Sequence, residues 1–169
     1  MTPVSTKHWI CDQPDNIISS VMAGSLVERN LDCQTCVDLV RRFYLHLDRR
    51  EYRQLDALMA RDGVYFRPHG RPVPAGATLI ADLAEIPRTK TIVHLLTNLH
   101  AELLTAGSAR VSGYMTVFWH DDGTSRTGPV PLGMPRTIRA LDIELGKHAG
   151  TWQIRKIENV KLMEAAEPA

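Results

Sequence analysis

The sequence predicts an α+β fold, in which about three N-terminal helices pack on one face of a strongly curved, mixed or antiparallel sheet. The first observation is that apolar residues recur with the helical period up to about Pro87 and with the strand period after it. The second is that the later segments are long and joined by short turns, which is typical of antiparallel strands. Strands of this length twist and curl, so the sheet should wrap around the helices and enclose a pocket.

The first 30 residues differ from the rest, and we interpret residues 1–30 as an arm with one short amphipathic helix. Asp12 and Pro14 suit a helix start. The apolar residues that follow recur at helical spacing: Ile17, Ile18, Val21, Met22 and Leu26. The main domain is then predicted over residues 31–163, and residues 164–169 are a flexible tail.

The main domain is predicted to open with paired helices. The first carries an apolar stripe formed by Cys36, Val37, Val40, Phe43, Tyr44 and Leu47. It breaks at residues 48–50. The second, short helix has an apolar side formed by Tyr52, Leu55, Leu58 and Met59, and Asp62-Gly63 ends it. A strand over residues 64–66, a loop rich in proline and glycine over 68–76 and a third helix over 78–85 follow.

Four long strands are predicted after Pro87. They are expected over residues 91–104, 110–120, 138–145 and 152–163. The strand over 110–120 carries large apolar residues on both faces, with Val117 and Trp119 on one and Tyr114 and Phe118 on the other. The helices cover one face, so we expect the other face to form a homodimer, with the helical segment 17–26 as the competing cover.

The composition is that of one globular domain of 169 residues and 18.9 kDa. A formal charge of +1 with no basic stripe argues against nucleic acid or an anionic membrane as partner. No apolar run approaches the roughly 18 residues of a spanning helix. The first 20 residues show no secretory signal, and three cysteines without one indicate reduced thiols. The expected location is the cytoplasm.

Three stretches of the main domain carry a family resemblance. They are Phe43-Tyr44 with residues 47–52 and Asp62-Gly63-Val64, then His94-Leu95-Leu96-Thr97-Asn98, and finally Asp142 with residues 150–154. Through them the chain from about residue 34 to 163 resembles a SnoaL-like member of the nuclear-transport-factor-2-like superfamily. The resemblance implies a cone-shaped sheet around the helices. It implies less about function, because this fold hosts dehydratases, isomerases, cyclases, epoxide hydrolases and non-catalytic dimers.

Asp48 and His94 form the sharpest candidate pair. The resemblance to the scytalone-dehydratase and polyketide-cyclase members implies that an acid at this helix end and a histidine on this strand face one cavity. A carboxylate can fix the tautomer of an imidazole, which then moves a proton beside a carbonyl or hydroxyl. The alternative is structural: Asp48 caps the second helix, and His94 is a hydrogen-bonded core residue.

Five further residues are candidates for substrate binding. Tyr44, Tyr65 and Trp119 combine an apolar ring with a hydrogen-bond donor and suit the wall of an aromatic-ligand pocket, although core positions are the alternative. Asn98 should share the face of His94, because alternate residues of a strand point the same way. It is suited to bind a substrate oxygen, and the alternative is that it satisfies neighbouring backbone groups. Arg136 is suited to clamp an anionic group, or it is an exposed arginine at a sheet edge.

Four other residues have the spacing of a zinc site, although a structural role is the favoured interpretation. His8 and Cys11 form one pair at metal-ligand spacing, and Cys33 and Cys36 form another. Cys36 also belongs to the apolar stripe of the first helix, where a buried thiol packs well. We therefore expect no metal and no other cofactor.

The leading functional hypothesis is a cofactor-free lyase or isomerase, similar to a dehydratase or cyclase. It would act on a small apolar oxygenated molecule, with His94 as the acid/base and Asp48 as its orienting carboxylate. Two alternatives remain open: a non-catalytic ligand-binding dimer, and a structural subunit resembling the β subunit of aromatic-ring dioxygenases.

Overall fold

The computed structural model describes residues 15–67 and 70–166, with side chains from residue 25 onward. Within these residues three helices precede or interrupt the strands: α1 (Asp15–Asp48), α2 (Tyr52–Asp56) and α3 (Ala77–Ala84). The strands are β1 (Met59–Phe66), β2 (Pro72–Pro74), β3 (Thr91–Thr105), β4 (Ser108–His120), β5 (Thr137–His148) and β6 (Thr151–Glu164). No helix in this part of the chain is long and apolar enough to cross a membrane.

The strands form one open, mixed sheet in the order β2-β1-β6-β5-β4-β3. Every neighbouring pair is antiparallel except β1 and β6, which run parallel. The predicted α+β class and the four long strands are confirmed. Each of those strands extends at most three residues beyond its predicted end, as expected for boundaries set by turns.

The core lies between α1 and the inner face of the sheet. Val40 and Phe43 of α1 are fully buried and belong to one apolar cluster with strand residues such as Val111, Ile143 and Ile154. These strand residues alternate with exposed ones, so one face of the sheet is apolar and packed. The apolar stripe of the helix and the apolar face of the strands, both predicted from the sequence, therefore pack against each other in this core.

Helix α1 differs from the prediction of two separate helices. It runs without a break from Asp15 to Asp48 and contains no proline, so no residue in it forces the helix to end earlier. Leu26, Val27 and Leu31 are exposed. The part of α1 before residue 32 does not pack on the core, so the regular apolar stripe stops there. The sequence analysis interpreted this gap in the stripe as the end of a helix.

The segment between α2 and α3 also differs from the prediction. Asp62-Gly63 lies inside β1, where the pairing with β6 shifts register between Met59 and Val64. A Cβ at Gly63 would come within 2.8 Å of the Ala60 carbonyl oxygen, so the bulge needs glycine. Part of the predicted loop 68–76 is the edge strand β2, a position that tolerates its prolines.

Candidate active site

A cavity of about 820 Å³ lies between the end of α1, α3 and the inner face of strands β3 to β6. Its walls include Asp48, Tyr65, His94, Trp119 and Arg136. Of the seven residues that the sequence analysis proposed for the site, the structure brings these five to one cavity. Tyr44 and Asn98 lie elsewhere.

Asp48 and His94 are in direct contact inside this cavity. One carboxylate oxygen, Oδ1, is 2.5 Å from Nδ1 of the imidazole, and the other, Oδ2, accepts the backbone N–H of His94 at 3.0 Å. An ionised carboxylate only accepts, so Nδ1 carries the proton. The side chains are 20% and 11% exposed, respectively. The second ring nitrogen, Nε2, is left for a ligand in the cavity.

The end of α1 places the Asp48 carboxylate. The helix ends in a Schellman motif: the Glu51 N–H donates to the His46 carbonyl at 2.9 Å and the Arg50 N–H donates to the Leu47 carbonyl at 3.1 Å. The motif needs a left-handed residue, and Arg50 takes that role with φ of 59°. Asp48 is the last helical residue and accepts from β3, so the structural reading, in which it caps α2, does not hold: Glu51 occupies the N-cap.

Arg50 also ties this helix end to the segment that leads into β3. Its guanidinium donates to the carbonyl oxygens of Ile86, Pro87 and Lys90 at 2.9, 2.7 and 2.6 Å. The segment 86–90 is thereby held against the α1–α2 turn. His94 follows it along β3, so Arg50 fixes the spacing between the two halves of the dyad.

Tyr44 supports His94 from the core side and does not line the cavity. Its ring centroid is 5.3 Å from that of the imidazole, and its hydroxyl is buried without a hydrogen-bond partner in the described part of the chain. Burial raises its pKa well above the ordinary value of 10.0, so the hydroxyl is neutral. The prediction of a cavity-wall position is wrong for Tyr44, because it belongs to the inward stripe of α1 beside Phe43.

Asn98 also lies outside the cavity, because β3 contains a bulge. The pairing with β4 shifts register between Thr97 and His100, and Asn98 adopts φ of 53°. The side chain of Asn98 is exposed. Strict alternation along β3 from His94 would place Asn98 on the inner face of the sheet. The extra residue of the bulge breaks this alternation, so the predicted inward position of Asn98 is wrong.

Arg139 is a cavity residue that the sequence analysis missed. It is 7% exposed, and its guanidinium donates to Thr137 Oγ1 at 3.2 Å and to Asn159 Oδ1 at 2.8 Å. No carboxylate of residues 25–67 or 70–166, whose side chains the structure describes, lies within ion-pair distance of it. The signal was the alternation of β5, which places Arg139 in line with the buried Leu141 and Ile143.

Tyr65 completes the polar wall of the cavity. It is buried, and burial raises the pKa of its hydroxyl above the ordinary value of 10.0. The group is therefore a neutral O–H donor at physiological pH. Together with Arg139 it places hydrogen-bond donors in the cavity wall.

Trp119 and Arg136 lie together toward the exposed end of the cavity. Trp119 is 37% exposed, and the Arg136 guanidinium carbon is 4.4 Å from its ring centroid. Lys90 Nζ lies 4.2 Å from the same centroid. Trp119 and Arg136, which were separate candidates, thus belong with Lys90 to one cluster of one ring and two cations.

The zinc reading finds no support where the structure describes the chain. His8 and Cys11 lie outside the described residues, and no group of three or more metal-ligating side chains occurs inside them. Burial raises the pKa of the Cys36 thiol to about 12, so the metal-free thiol is neutral. Cys36 packs as an apolar core residue.

Comparison with known proteins identifies the family. The SnoaL-like domain family matches residues 28–158. No curated protein gives a significant match. A candidate scytalone dehydratase from Novosphingobium aromaticivorans superposes with a TM-score of 0.66 at 15% identity, covering 88% of this chain and 93% of that one.

Two further solved structures share the fold. A protein of unknown function with a cystatin-like fold from Nostoc punctiforme has a TM-score of 0.60 at 17% identity, over 76% of this chain and 89% of that one. The hexachlorocyclohexane dehydrochlorinase LinA-type3 from Novosphingobium barchaimii has a TM-score of 0.63 at 14% identity, over 83% and 90%. The resemblance seen in the sequence and the observed fold agree with the family match: the chain belongs to the SnoaL-like domain family.

Proposed function

We propose that this protein is a lyase or isomerase in which His94 moves a proton of a small oxygenated substrate. The observation that carries the proposal is the double contact of Asp48 with His94, to the ring Nδ1 and to the backbone N–H of the same residue. This arrangement fixes both the tautomer and the position of the ring, and leaves Nε2 as the base.

The other polar groups of the cavity suit the negative charge that proton removal creates. A substrate with a C–H bond beside a carbonyl would lose that proton to Nε2, and the charge would develop on the carbonyl oxygen. The Arg139 guanidinium and the Tyr65 hydroxyl are preorganised donors in a buried wall, where hydrogen bonds to an oxyanion are strongest. The acid, the base and the charge stabiliser are then all side chains of this chain.

The fate of the proton decides between the two reaction types. In a dehydration, the C–O bond on the neighbouring carbon breaks and the leaving hydroxyl takes the proton from Nε2 as water. In an isomerisation, the proton returns to a different carbon. Two of the compared proteins are named as a candidate dehydratase and a dehydrochlorinase, and both names refer to elimination reactions. Because lyases catalyse eliminations, we favour a lyase over an isomerase.

The test is proton exchange and water loss with a panel of aromatic and cyclic β-hydroxy ketones in deuterated buffer, followed by mass spectrometry. His94→Ala or Asp48→Asn should lower turnover by about 10²–10⁴-fold, the range for one general acid/base. Asp48→Asn should leave ligand binding nearly unchanged, because its role is to orient the ring. His100→Ala is the matched control, since His100 is an exposed histidine of the same strand, outside the cavity wall.

A second measurement needs no substrate. Nitrogen-15 spectra of the histidine side chains should show His94 as the Nδ1–H tautomer, assigned by its loss in His94→Gln, and Asp48→Ala should abolish that preference. Full turnover in His94→Ala would reject His94 as the acid/base. A wild-type protein that neither exchanges protons nor loses water with any member of the panel would return the non-catalytic alternative.

A further inference from the structure

The cluster formed by Lys90, Trp119 and Arg136, here called the rim cluster, has a charge that nothing in the proposed proton transfer uses. Its members come from three separate parts of the chain: Lys90 directly precedes β3, Trp119 lies near the end of β4, and Arg136 directly precedes β5. Both cations approach the same ring, at 4.2 and 4.4 Å from its centroid. The fold thus brings two positive charges to one place.

Neither cation of the rim cluster has an acidic partner in the described part of the chain. Two other cavity cations, by contrast, are neutralised: Arg67 pairs with Asp82, and Lys161 pairs with Glu164. Among the described side chains, those of residues 25–67 and 70–166, no carboxylate lies within ion-pair distance of Lys90 or Arg136. Two like charges on one ring repel each other, and an anion between them would relieve that repulsion.

The whole cavity has the same bias. Among its described lining residues nine are arginine or lysine and four are aspartate or glutamate, although the chain as a whole has a formal charge of only +1. A concave site lined by one sign of charge concentrates ligands of the opposite sign. The bias therefore favours an anionic ligand over a neutral one.

The register of the sheet gives the backbone spacing between the rim cluster and the base. Trp119 pairs with Ile92, and His94 lies two residues further along β3 on the same face. Two residues of a strand span about 7 Å. The backbone position beside Trp119 and that of His94 are thus about 7 Å apart on one face of β3, so the rim cluster and the base are neighbours along the cavity wall.

We propose that the substrate class of this enzyme is an aromatic or alicyclic carboxylic acid, whose carboxylate binds between Lys90 and Arg136. The Trp119 ring contacts the apolar skeleton beside the carboxylate, and the reacting carbon lies deeper, at His94. The proposal rests on the lyase or isomerase function for the reacting carbon, but the carboxylate site itself depends only on the rim cluster. It changes the expected ligand from an apolar molecule to an amphipathic anion.

The test compares two probes of the same shape, 2-naphthoate and its neutral analogue 2-naphthamide, by isothermal titration calorimetry at low salt. The wild-type protein should bind the carboxylate about tenfold more tightly than the amide, as expected for one charge-assisted contact. The double variant Lys90→Gln/Arg136→Gln should bind both probes equally. Unchanged binding of the amide shows that the cavity of the variant is intact.

Arg42→Gln is the matched control, because it removes one exposed positive charge from α1 outside the cavity wall and should keep the tenfold preference. Equal binding of both probes by the wild type, or no binding of either at millimolar concentration, would overturn the proposal. So would a preference that survives in the double variant and disappears in Arg139→Gln, which would place the carboxylate at the buried arginine.

The two proposals fail in different ways. Binding needs no proton transfer, so the preference for naphthoate should persist in His94→Ala. Full turnover in His94→Ala with an intact preference would reject the acid/base role and keep the carboxylate site. A preference lost in His94→Ala and kept in the double variant would mean that the imidazole binds the anion, and the rim cluster would have no such role.

Discussion

Arg50 donates a hydrogen bond to the backbone carbonyl of Lys90 at 2.6 Å, and through this contact the end of α1 holds the approach to β3. The same guanidinium also binds the carbonyls of Ile86 and Pro87. Asp48 lies two residues before Arg50, and His94 lies four residues after Lys90. The dyad is therefore braced by an arginine that touches neither of its members.

Arg50→Ala should destabilise the protein by about 2 kcal/mol, the usual effect of removing hydrogen bonds from a charged group. It should also weaken the Asp48–His94 contact and with it the Nδ1–H tautomer of His94. Urea unfolding measures the first effect and nitrogen-15 spectra the second. The neighbouring Arg49→Ala is the control, because Arg49 is exposed and should change the free energy of unfolding by less than about 0.5 kcal/mol.

Arg50→Gly separates the two roles of this position. Glycine adopts positive φ without cost, so this variant keeps the end of the helix and loses only the guanidinium. It should be more stable than Arg50→Ala and should show the same loss of tautomer preference. An unchanged tautomer in both variants would show that Arg50 does not position the dyad.

Asp32 joins α1 to the sheet, and its contribution to stability should depend on pH. Its Oδ1 accepts from Trp152 Nε1 at 2.7 Å and from Lys147 Nζ at 2.9 Å. These contacts, led by the Trp152 bond, lower the pKa of Asp32 below its ordinary value of 3.8. A lowered pKa in the folded state gives stability that is present above 3.8 and is lost as the pH falls through the folded value.

Asp32→Asn should therefore lower the free energy of unfolding by about 1–3 kcal/mol at pH 7, and the difference from wild type should shrink below pH 4. Urea titrations across this range measure both numbers. Asp38→Asn on the same helix is the control: Asp38 pairs with Arg41 in an exposed contact, which contributes little. If the difference in unfolding free energy between wild type and Asp32→Asn did not shrink at acid pH, the ionised Asp32 carboxylate would not be the source of this stability.

Gly113 accommodates the bulge that turns Asn98 away from the cavity. The register runs from Thr97–Tyr114 to His100–Ser112, so Gly113 faces the extra residue. A Cβ at Gly113 would lie 2.9 Å from the Thr97 carbonyl oxygen and 2.8 Å from Leu99 Cδ2. Backbone at this distance cannot move aside cheaply.

Gly113→Ala should cost about 1–3 kcal/mol of stability through this overpacking. Thermal unfolding measures the loss, and Gly107→Ala is the control, since a Cβ at Gly107 meets nothing within 4 Å. Equal stability of the two variants would show that the bulge adapts to a side chain.

The sequence predicted the elements better than the site, and the reasons are physical. The long strands follow from local alternation, which needs no knowledge of the partner strand. The bulge at Asn98 depends on Gly113, which lies in another strand, so no local pattern indicates it. Arg139 was missed for a different reason. The local alternation of β5 indicates that it faces inward, but the sequence analysis did not consider an inward arginine among apolar residues as part of a cavity wall.

The outer face of the sheet remains exposed in the single chain. Val93 and Leu95 of β3 are 43% and 50% exposed, and Tyr114 of β4 is 45% exposed. These residues lie side by side, because Val93 pairs with Phe118 and Thr97 pairs with Tyr114. The side chains of residues 25–31, the first that the structure describes in α1, are exposed. The competing cover predicted over 17–26 lies, up to residue 24, outside the described side chains.

We propose that two copies of this chain pack through this face and that the protein is a homodimer at micromolar concentration. Exposed apolar side chains on neighbouring strands form the kind of continuous patch that monomers rarely keep, and a second copy presents the same patch by symmetry. Leu95→Lys would bury two unpaired charges in the interface and should convert the dimer to a folded monomer, as measured by sedimentation velocity. Leu132→Lys should remain dimeric, because Leu132 is equally apolar but exposed in the loop between β4 and β5. A wild-type chain that sediments as a monomer at this concentration would reject the dimer.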